Sequence, residues 1–268
     1  MDGMTKAEVD KAESGEIVRK GAPKRPRDAA TLILLDRRGD DFLVLMGRRH
    51  RSHAFMPGKF VFPGRVGGAR RPRSRPSSPG KSVLPGAPPD PADARVPVAS
   101  ALTALDEQKL MAGIGRISAA RARAIALSAI RETYEEAGLL IGRKGDFATG
   151  KPDWQGFVRH GVQPSLEAMR FIARAITPPG RVRRFDTRFL AAWRGDIAVE
   201  LAGGGPSNEL EELAWLPIAE AKQMEVPAIT RTILEELEAR LAGDPQLRPA
   251  AEVPFYRLVR THFGRELL

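Results

Sequence analysis

Three glutamates stand within five positions of the segment 131–140, which reads Arg-Glu-Thr-Tyr-Glu-Glu-Ala-Gly-Leu-Leu. Gly138 suits the left-handed position just past a helix end, so a helix is predicted to finish there. With 3.6 residues per turn, Glu132 and Glu136 lie one turn apart on one side, and Glu135 stands beside them. Like charges at this spacing repel, so the pattern predicts a compensating cation.

The residues before this segment predict the rest of the helix. Ser118 is suited to the N-cap, which places the helix at residues 118–137. Ala126, Ile130 and Thr133 fall on one arc and are predicted to face a core, with the glutamates on the neighbouring arc. For the three glutamates alone, the alternative is a surface helix with a chance acidic run.

The pattern Arg-Glu-x-x-Glu-Glu-x-Gly, followed by an aliphatic residue, resembles the catalytic half of the Nudix hydrolase signature. Residues 60–64 (Phe-Val-Phe-Pro-Gly) are similar to the strand and turn that open this signature, and residues 32–46 to the two strands before it. Residues 211–217 (Glu-Glu-Leu-Ala-Trp-Leu-Pro) resemble the closing segment of many such domains. The resemblance implies an α/β (α+β) fold, a Nudix-type α/β/α sandwich with a mixed sheet.

The chain also departs from the signature. Arg65 stands where the second glycine is usual, and Ile117 and Arg123 stand where the full pattern has an opening glycine and a further glutamate. A long insertion splits the signature. Split signatures occur in a branch related to the mammalian peroxisomal coenzyme A diphosphatase, and residues 176–179 and 184–189 resemble that branch.

Composition limits the function classes. The chain has 268 residues and no cysteine, so disulfide and thiolate chemistry are excluded. No apolar run is long enough to cross a bilayer and no signal-peptide core is evident, so we expect no membrane association and a cytoplasmic location. The net charge of +10 is concentrated in two proline-rich runs, 20–27 and 70–76, without interleaved aromatic residues. We therefore expect solvated basic segments and no nucleic-acid binding.

These patterns divide the chain into a disordered basic tail (1–27), a Nudix domain (28–242) and a C-terminal extension (243–268). Inside the domain, residues 66–89 are rich in Pro, Arg and Ser and are predicted to be a disordered insertion. Strands are predicted at 31–35, 42–46, 60–62 and 184–193, and helices at 106–110, 118–137, 165–175, 217–222 and 228–241.

Clustered glutamate oxygens are hard ligands, so the expected ion is Mg2+ or Mn2+ and the natural substrate is a small-molecule diphosphate. Glu132 and Glu136 are the first choice as metal ligands, with Glu135 as a third ligand or the general base. Arg131 is expected to pair with a carboxylate and orient the site. The resemblance implies catalytic roles for this whole group, Arg131, Glu132, Glu135 and Glu136.

A further acidic ligand is expected from the closing segment, where Glu211 and Glu212 are candidates and Glu212 is taken as the metal ligand. Candidate substrate-binding residues are the arginines that could contact phosphate and a glycine whose backbone could approach the metal: Arg48, Arg49, Arg51, Arg184 and Gly64.

The predicted function is metal-dependent hydrolysis of the diphosphate linkage of a nucleoside diphosphate joined to another moiety, and the branch resemblance points to coenzyme A or acyl-CoA. The alternative is a catalytically impaired Nudix-shaped module that binds nucleotides, because the glycine pair is altered and the signature interrupted. The sequence leaves homo-oligomerisation open.

Overall fold

The computed structural model describes residues 2–5, 8–9, 24–49, 58–63, 89–181, 183–207 and 209–268. The described strands are β1 Arg27–Arg38, β2 Asp41–Arg49, β3 Phe60–Val61, β4 Leu139–Lys144, β5 Val162–Pro164, β6 Arg170–Ile176, β7 Phe185–Trp193, β8 Ile197–Glu200, β9 Leu210–Pro217, β10 Pro254–Val259 and β11 His262–Leu267. The described α-helices are α1 Ala104–Met111, α2 Ala119–Ala137, α3 Gln155–Arg159, α4 Ile218–Gln223 and α5 Ala228–Gly243.

Eight strands form one mixed sheet in the order β11-β10-β6-β7-β1-β2-β3, with β9 also paired to β2. β1 and β7 run parallel, as do β6 and β10, while β1 and β2 form an antiparallel hairpin. β4, β5 and β8 make a second, antiparallel sheet of three strands.

Helices cover both faces of the large sheet. In β1, Leu32 and Leu34 point into the core beneath α2, whereas the alternate residues Ile33 and Leu35 point into the core beneath α5. A strand buried on both faces reads as a continuous apolar run, as β1 does. The predicted α/β/α sandwich with a mixed sheet is confirmed.

The helix α2 begins and ends as its sequence predicts. The Ser118 hydroxyl accepts a hydrogen bond from the Arg121 amide (3.2 Å), and Gly138 adopts a left-handed conformation with φ of 73°. Ala126, Ile130 and Thr133 are buried on the face that meets the sheet. Between these caps lies a helix of 19 residues whose last two turns carry the glutamates.

The predicted helix at 165–175 is wrong. Residues 170–176 form the strand β6, which pairs with β7 on one side and with β10 on the other. Phe171 faces the α2 core and Ile172 faces the α5 core. Because this strand is buried on both faces, its apolar residues also satisfy helical spacing, and the spacing alone cannot separate the two structures.

The terminal segments contact the large sheet where they are described. The C-terminal extension adds the hairpin of β10 and β11 to its edge. Thr5 forms a bridge with His262, and the Phe263 amide donates a hydrogen bond to the Met4 carbonyl (2.7 Å). The part of the tail at 2–5 is therefore attached to this hairpin.

Several predictions concern residues outside the described ranges. The predicted disorder of the insertion 66–89 falls there except for residue 89, and so do the predicted roles of Arg51 and Gly64. None of the described helices is both long and apolar enough to cross a membrane.

Candidate active site

The last turns of α2 bring the predicted glutamates together beside the core. Glu132 is 3% exposed and Glu136 is 2% exposed, while Glu135 is partly buried. The carboxyl end of a helix carries partial negative charge, so acidic residues are unfavourable there, and α2 has no basic residue in its last turn. Glutamates that are both buried and at this end of a helix therefore need nearby positive charge.

Arg131 supplies part of that charge. Its Nη1 atom lies 2.7 Å from Glu132 Oε1 and donates a hydrogen bond to Glu135 Oε1 at 3.0 Å. On the other side of the guanidinium, Nε lies 3.8 Å from Asp93 Oδ2. Arg131 is itself buried, and it pairs with carboxylates as the sequence predicts.

Arg49 supplies a second positive charge. It is the last residue of β2, its side chain is 1% exposed, and its Nη2 atom lies 4.0 Å from Glu136 Oε1. A guanidinium held in this position has unused donor capacity, because its Nε and Nη1 atoms make no hydrogen bond with the described residues. Among the predicted phosphate-binding arginines that the structure describes, Arg49 is the one paired with a glutamate of α2.

A loop before β9 brings a further carboxylate to the site. The Leu201 amide donates to the Gly138 carbonyl (3.0 Å), and the Ser207 amide donates to the Glu135 carbonyl (2.9 Å). The loop lies so close to α2 that a Cβ on Gly205 would be 2.3 Å from the Glu135 carbonyl oxygen. Glu209, two residues beyond Ser207, is 5% exposed.

The electrostatics of Glu132 reflect this crowding. Burial raises its pKa, and repulsion from Glu135, Glu136 and Glu209 raises it further, to about 8, against the lowering effect of Arg131. Burial lowers the pKa of Arg131, but its carboxylate neighbours outweigh that effect and raise it. Burial and the neighbouring carboxylates therefore outweigh the effect of Arg131 on Glu132.

The donor set fits a hard divalent cation, because it consists of buried carboxylate oxygens whose mutual repulsion such an ion would relieve. The side chains are not arranged around an ion site, because no three acidic or histidine side chains among the described residues converge to enclose an ion. Glu132 and Glu135 are directed to Arg131, and Glu136 lies toward Arg49. The three glutamates are neighbours, then, but they are arranged around arginines.

Glu212, predicted as a metal ligand, lies on the surface. Its side chain is 60% exposed and pairs with Arg48, another predicted phosphate-binding residue. The residue of this region that influences Glu132 electrostatically is Glu209. The role of Glu212 as a metal ligand stays a prediction, and the sequence does not show the loop that brings Glu209 toward α2.

Arg184 does not lie with the glutamates. Its guanidinium donates to the backbone carbonyls of Thr177 (3.0 Å) and Lys24 (2.6 Å) at the start of β7. That end of the sheet meets the first turn of α2, where Asp28 of β1 pairs with Arg121 (2.6 Å) and with Arg188 of β7 (2.7 Å). At 1.5 Å per residue, this turn is roughly 16 Å along the helix from Glu132.

Asp93 is a buried acidic residue of the site that the sequence reasoning missed. It lies in a short 3-10 helix, Pro91–Arg95, and accepts a hydrogen bond from Trp154 Nε1 (3.1 Å). Burial raises its pKa against the lowering effect of Arg131 and the Trp154 hydrogen bond. The only sequence signal was its position directly after the insertion, which carries no chemical meaning by itself.

The fold is that of Nudix hydrolases. A crystal structure of a Nudix hydrolase from Alicyclobacillus acidocaldarius matches with a TM-score of 0.54 and 24% identity, covering 81% of this chain and 93% of that one. This likeness shows the fold.

Two other solved structures match with lower TM-scores. The NUDIX domain of Shewanella oneidensis NrtR complexed with ADP ribose has a TM-score of 0.40 and 13% identity, covering 89% of this chain and 99% of that one. A C. elegans Ap4A hydrolase binary complex has a TM-score of 0.38 and 13% identity, covering 81% and 98%. No protein-family model matches the sequence, and no curated protein matches it.

Proposed function

We propose that this protein is a metal-dependent hydrolase that cleaves a diphosphate linkage in a nucleoside diphosphate joined to another moiety. The observation that carries the proposal is the group of carboxylates at the end of α2, in which Glu132 and Glu136 are nearly fully buried and Glu209 raises the pKa of Glu132 by repulsion. Burying this much like charge destabilises a fold unless a cation offsets it. The Nudix fold supports the same function.

The chain's own residues have distinct proposed roles. Glu132 and Glu136 are the first ligands of Mg2+ or Mn2+, Glu209 is a further ligand, and Glu135 is a third helix ligand or the base that accepts the proton of the attacking water. A bound divalent ion would neutralise charge on the phosphate oxygens and make water more acidic. Arg49 is suited to contact a phosphate oxygen, because it is held beside Glu136 with unused donors.

The substrate class follows from a finer resemblance. Coenzyme A or an acyl-CoA is our first choice, supported by the split signature and by residues 176–179 and 184–189. ADP-ribose and dinucleoside polyphosphates come next, since structurally similar proteins include one complexed with ADP ribose and an Ap4A hydrolase. A cytoplasmic location stays a prediction.

The test is a substrate screen with a matched variant. Purified full-length protein is incubated with coenzyme A esters, NADH, ADP-ribose, Ap4A and nucleoside triphosphates, with Mg2+ or Mn2+, and released phosphate products are measured. We expect turnover of at least one diphosphate in the wild type and none in Glu136→Gln. Equal turnover by both proteins would contradict the role of Glu136. No product with any substrate, together with no Mn2+ uptake by calorimetry, would overturn the proposed function.

The second candidate function is a nucleotide-binding module with impaired catalysis. It is favoured by one observation, that no three acidic or histidine side chains of the described residues converge on an ion site. A protein that binds ADP-ribose or coenzyme A by calorimetry, but releases no product with either metal ion, would establish this alternative.

A further inference from the structure

The buried carboxylate of Asp93 has no role in the proposed chemistry, although it lies beside the arginine that organises the site. Asp93 is 3% exposed, and its Oδ2 atom is 3.8 Å from Arg131 Nε. Its other oxygen accepts from Trp154 Nε1 at 3.1 Å and lies 3.7 Å from Lys151 Nζ. A carboxylate is rarely buried this deeply unless it is paired, and here the charged partners are Arg131, which is buried, and Lys151, which is partly exposed.

The segment that carries Asp93 is fastened to α2. Arg123 donates to the carbonyls of Ala94 (3.0 Å) and Val96 (2.7 Å), which follow the aspartate in the chain. Arg123 and Arg131 are eight residues apart in the helix, about two turns along and roughly 80° around its axis, and both contact this segment. One arginine therefore holds the backbone of the segment while the other meets its carboxylate.

Asp90 gives this segment a defined start. Its carboxylate accepts a hydrogen bond from the Ala92 amide at 2.9 Å, and the Asp93 amide donates to the Asp90 carbonyl at 2.8 Å. The short 3-10 helix is thus capped locally, docked by Arg123 and closed at the far side by Trp154. This construction fixes the position of a single acidic side chain.

We propose that Asp93 is a positioning residue that orients Arg131 and, through it, the glutamates Glu132 and Glu135. The guanidinium lies between two groups of carboxylates, with Nη1 toward the glutamates and Nε toward Asp93. Counter-charge from Asp93 keeps Arg131 in place when a glutamate turns toward a metal ion. Without it, Arg131 retains the glutamates more strongly and competes with the ion. The inference rests on the proposed function and explains why Arg at position 123 is compatible with an active site.

The test measures metal binding as well as turnover, in the full chain. Mn2+ alone is titrated into wild type, Asp93→Asn, Asp93→Glu and the control Asp106→Asn, and the thermal midpoint of each is recorded without metal. Asp106 is a suitable control because it is also a buried aspartate, 2% exposed, and accepts a hydrogen bond from the Phe171 amide in another part of the core.

We expect Asp93→Asn to weaken Mn2+ binding about tenfold or more, the range for loss of a residue that orients metal ligands. It lowers kcat and leaves KM close to wild type, because Arg131 and not the substrate is disturbed. Asp93→Glu restores part of the Mn2+ affinity and part of kcat, since it keeps the negative charge. Asp106→Asn lowers the thermal midpoint and leaves Mn2+ affinity unchanged.

Unchanged Mn2+ affinity and kcat in Asp93→Asn would overturn this inference and leave the proposed function standing. Absence of Mn2+ binding by the wild type would overturn both. If Asp93→Asn does not fold, Trp154→Phe removes one hydrogen bond to the same carboxylate, and we expect a smaller loss of Mn2+ affinity in the same direction. An unchanged affinity in that folded variant would also refute the positioning role.

Discussion

Replacing Glu132 with Gln is expected to stabilise the metal-free protein while abolishing its activity. Glu132 is 3% exposed, and both burial and three neighbouring glutamates disfavour its ionised form. Glutamine has nearly the same shape and keeps a carbonyl oxygen for Arg131, but it carries no charge. The substitution therefore removes an electrostatic cost and retains the packing.

The magnitude follows from the pKa. The pKa of Glu132 is raised from its ordinary value of 4.5 to about 8 in the folded protein. Between these two values the unfolded chain ionises and the folded one does not, so stability falls as pH rises through this range and the full cost is present above it. The interval from the ordinary pKa of 4.5 to pH 7 is roughly 2.5 pH units. At 1.36 kcal/mol per unit, it lowers the free energy of unfolding by roughly 3 kcal/mol. We expect Glu132→Gln to raise the free energy of unfolding by about 1 to 3 kcal/mol. The gain can be smaller than the full electrostatic cost because Arg131 loses a charged partner.

The assay is urea unfolding at pH 7 with and without Mn2+. Metal that binds only the folded state stabilises wild type by about 2.7 kcal/mol at a hundred times its dissociation constant. The variant should be stabilised far less by the metal. The difference in stability between the two proteins therefore narrows or changes sign when Mn2+ is present. Glu235→Gln, an exposed glutamate of α5, is the control and should change stability by less than about 0.5 kcal/mol. A Glu132→Gln protein that is less stable than wild type without metal would refute this reasoning.

Three further results are expected. Glu136→Gln should lose nearly all turnover and remain folded by circular dichroism, and wild-type turnover would exclude it as a ligand. Burial raises the pKa of Asp28, but its two arginine partners outweigh this and lower it. Asp28→Asn should therefore cost about 2 kcal/mol at pH 7, a difference that shrinks in unfolding curves as pH falls through the lowered pKa, and a constant difference would contradict the pairing. Gly138→Ala should lower the free energy of unfolding by about 2 to 4 kcal/mol. The causes are the left-handed φ of this residue and a Cβ placed 2.5 Å from the Gly204 carbonyl oxygen. An unchanged thermal midpoint would show that the loop at Gly204 moves aside without cost.

The sequence predicts best what local chemistry determines. The helix α2 has a hydroxyl N-cap, a core-facing arc and a left-handed glycine at its end, and the structure confirms all three. The grouping of Glu132, Glu135 and Glu136 follows directly from helical spacing. The hairpin of β1 and β2 was equally predictable, because polar residues separate two short apolar runs.

What the sequence could not predict depends on contacts between distant segments. The sequence predicts a helix in place of β6, because a strand buried on both faces shows no alternation. Glu209 and Asp93 reach α2 only through loops whose paths are set by tertiary contacts, the first by Ser207 and the second by Arg123. No spacing rule in the sequence predicts either contact. The resemblance therefore indicates Glu212 in the closing segment, and it indicates no acidic partner for Arg131 outside the helix.

Because arginines hold the carboxylates in the described arrangement, metal and substrate should assist each other's binding. A cation that draws Glu136 away from Arg49 leaves a buried guanidinium without its counter-charge, which is costly, and a substrate phosphate can replace that charge. Linkage then requires that a diphosphate strengthen metal binding by the same factor as the metal strengthens diphosphate binding. Mn2+ titrations with and without a non-hydrolysable ADP-ribose analogue measure this factor, which should exceed about fivefold and fall toward one in Arg49→Met. Equal Mn2+ affinity in wild type with and without the analogue would show that the arginine does not couple the two sites.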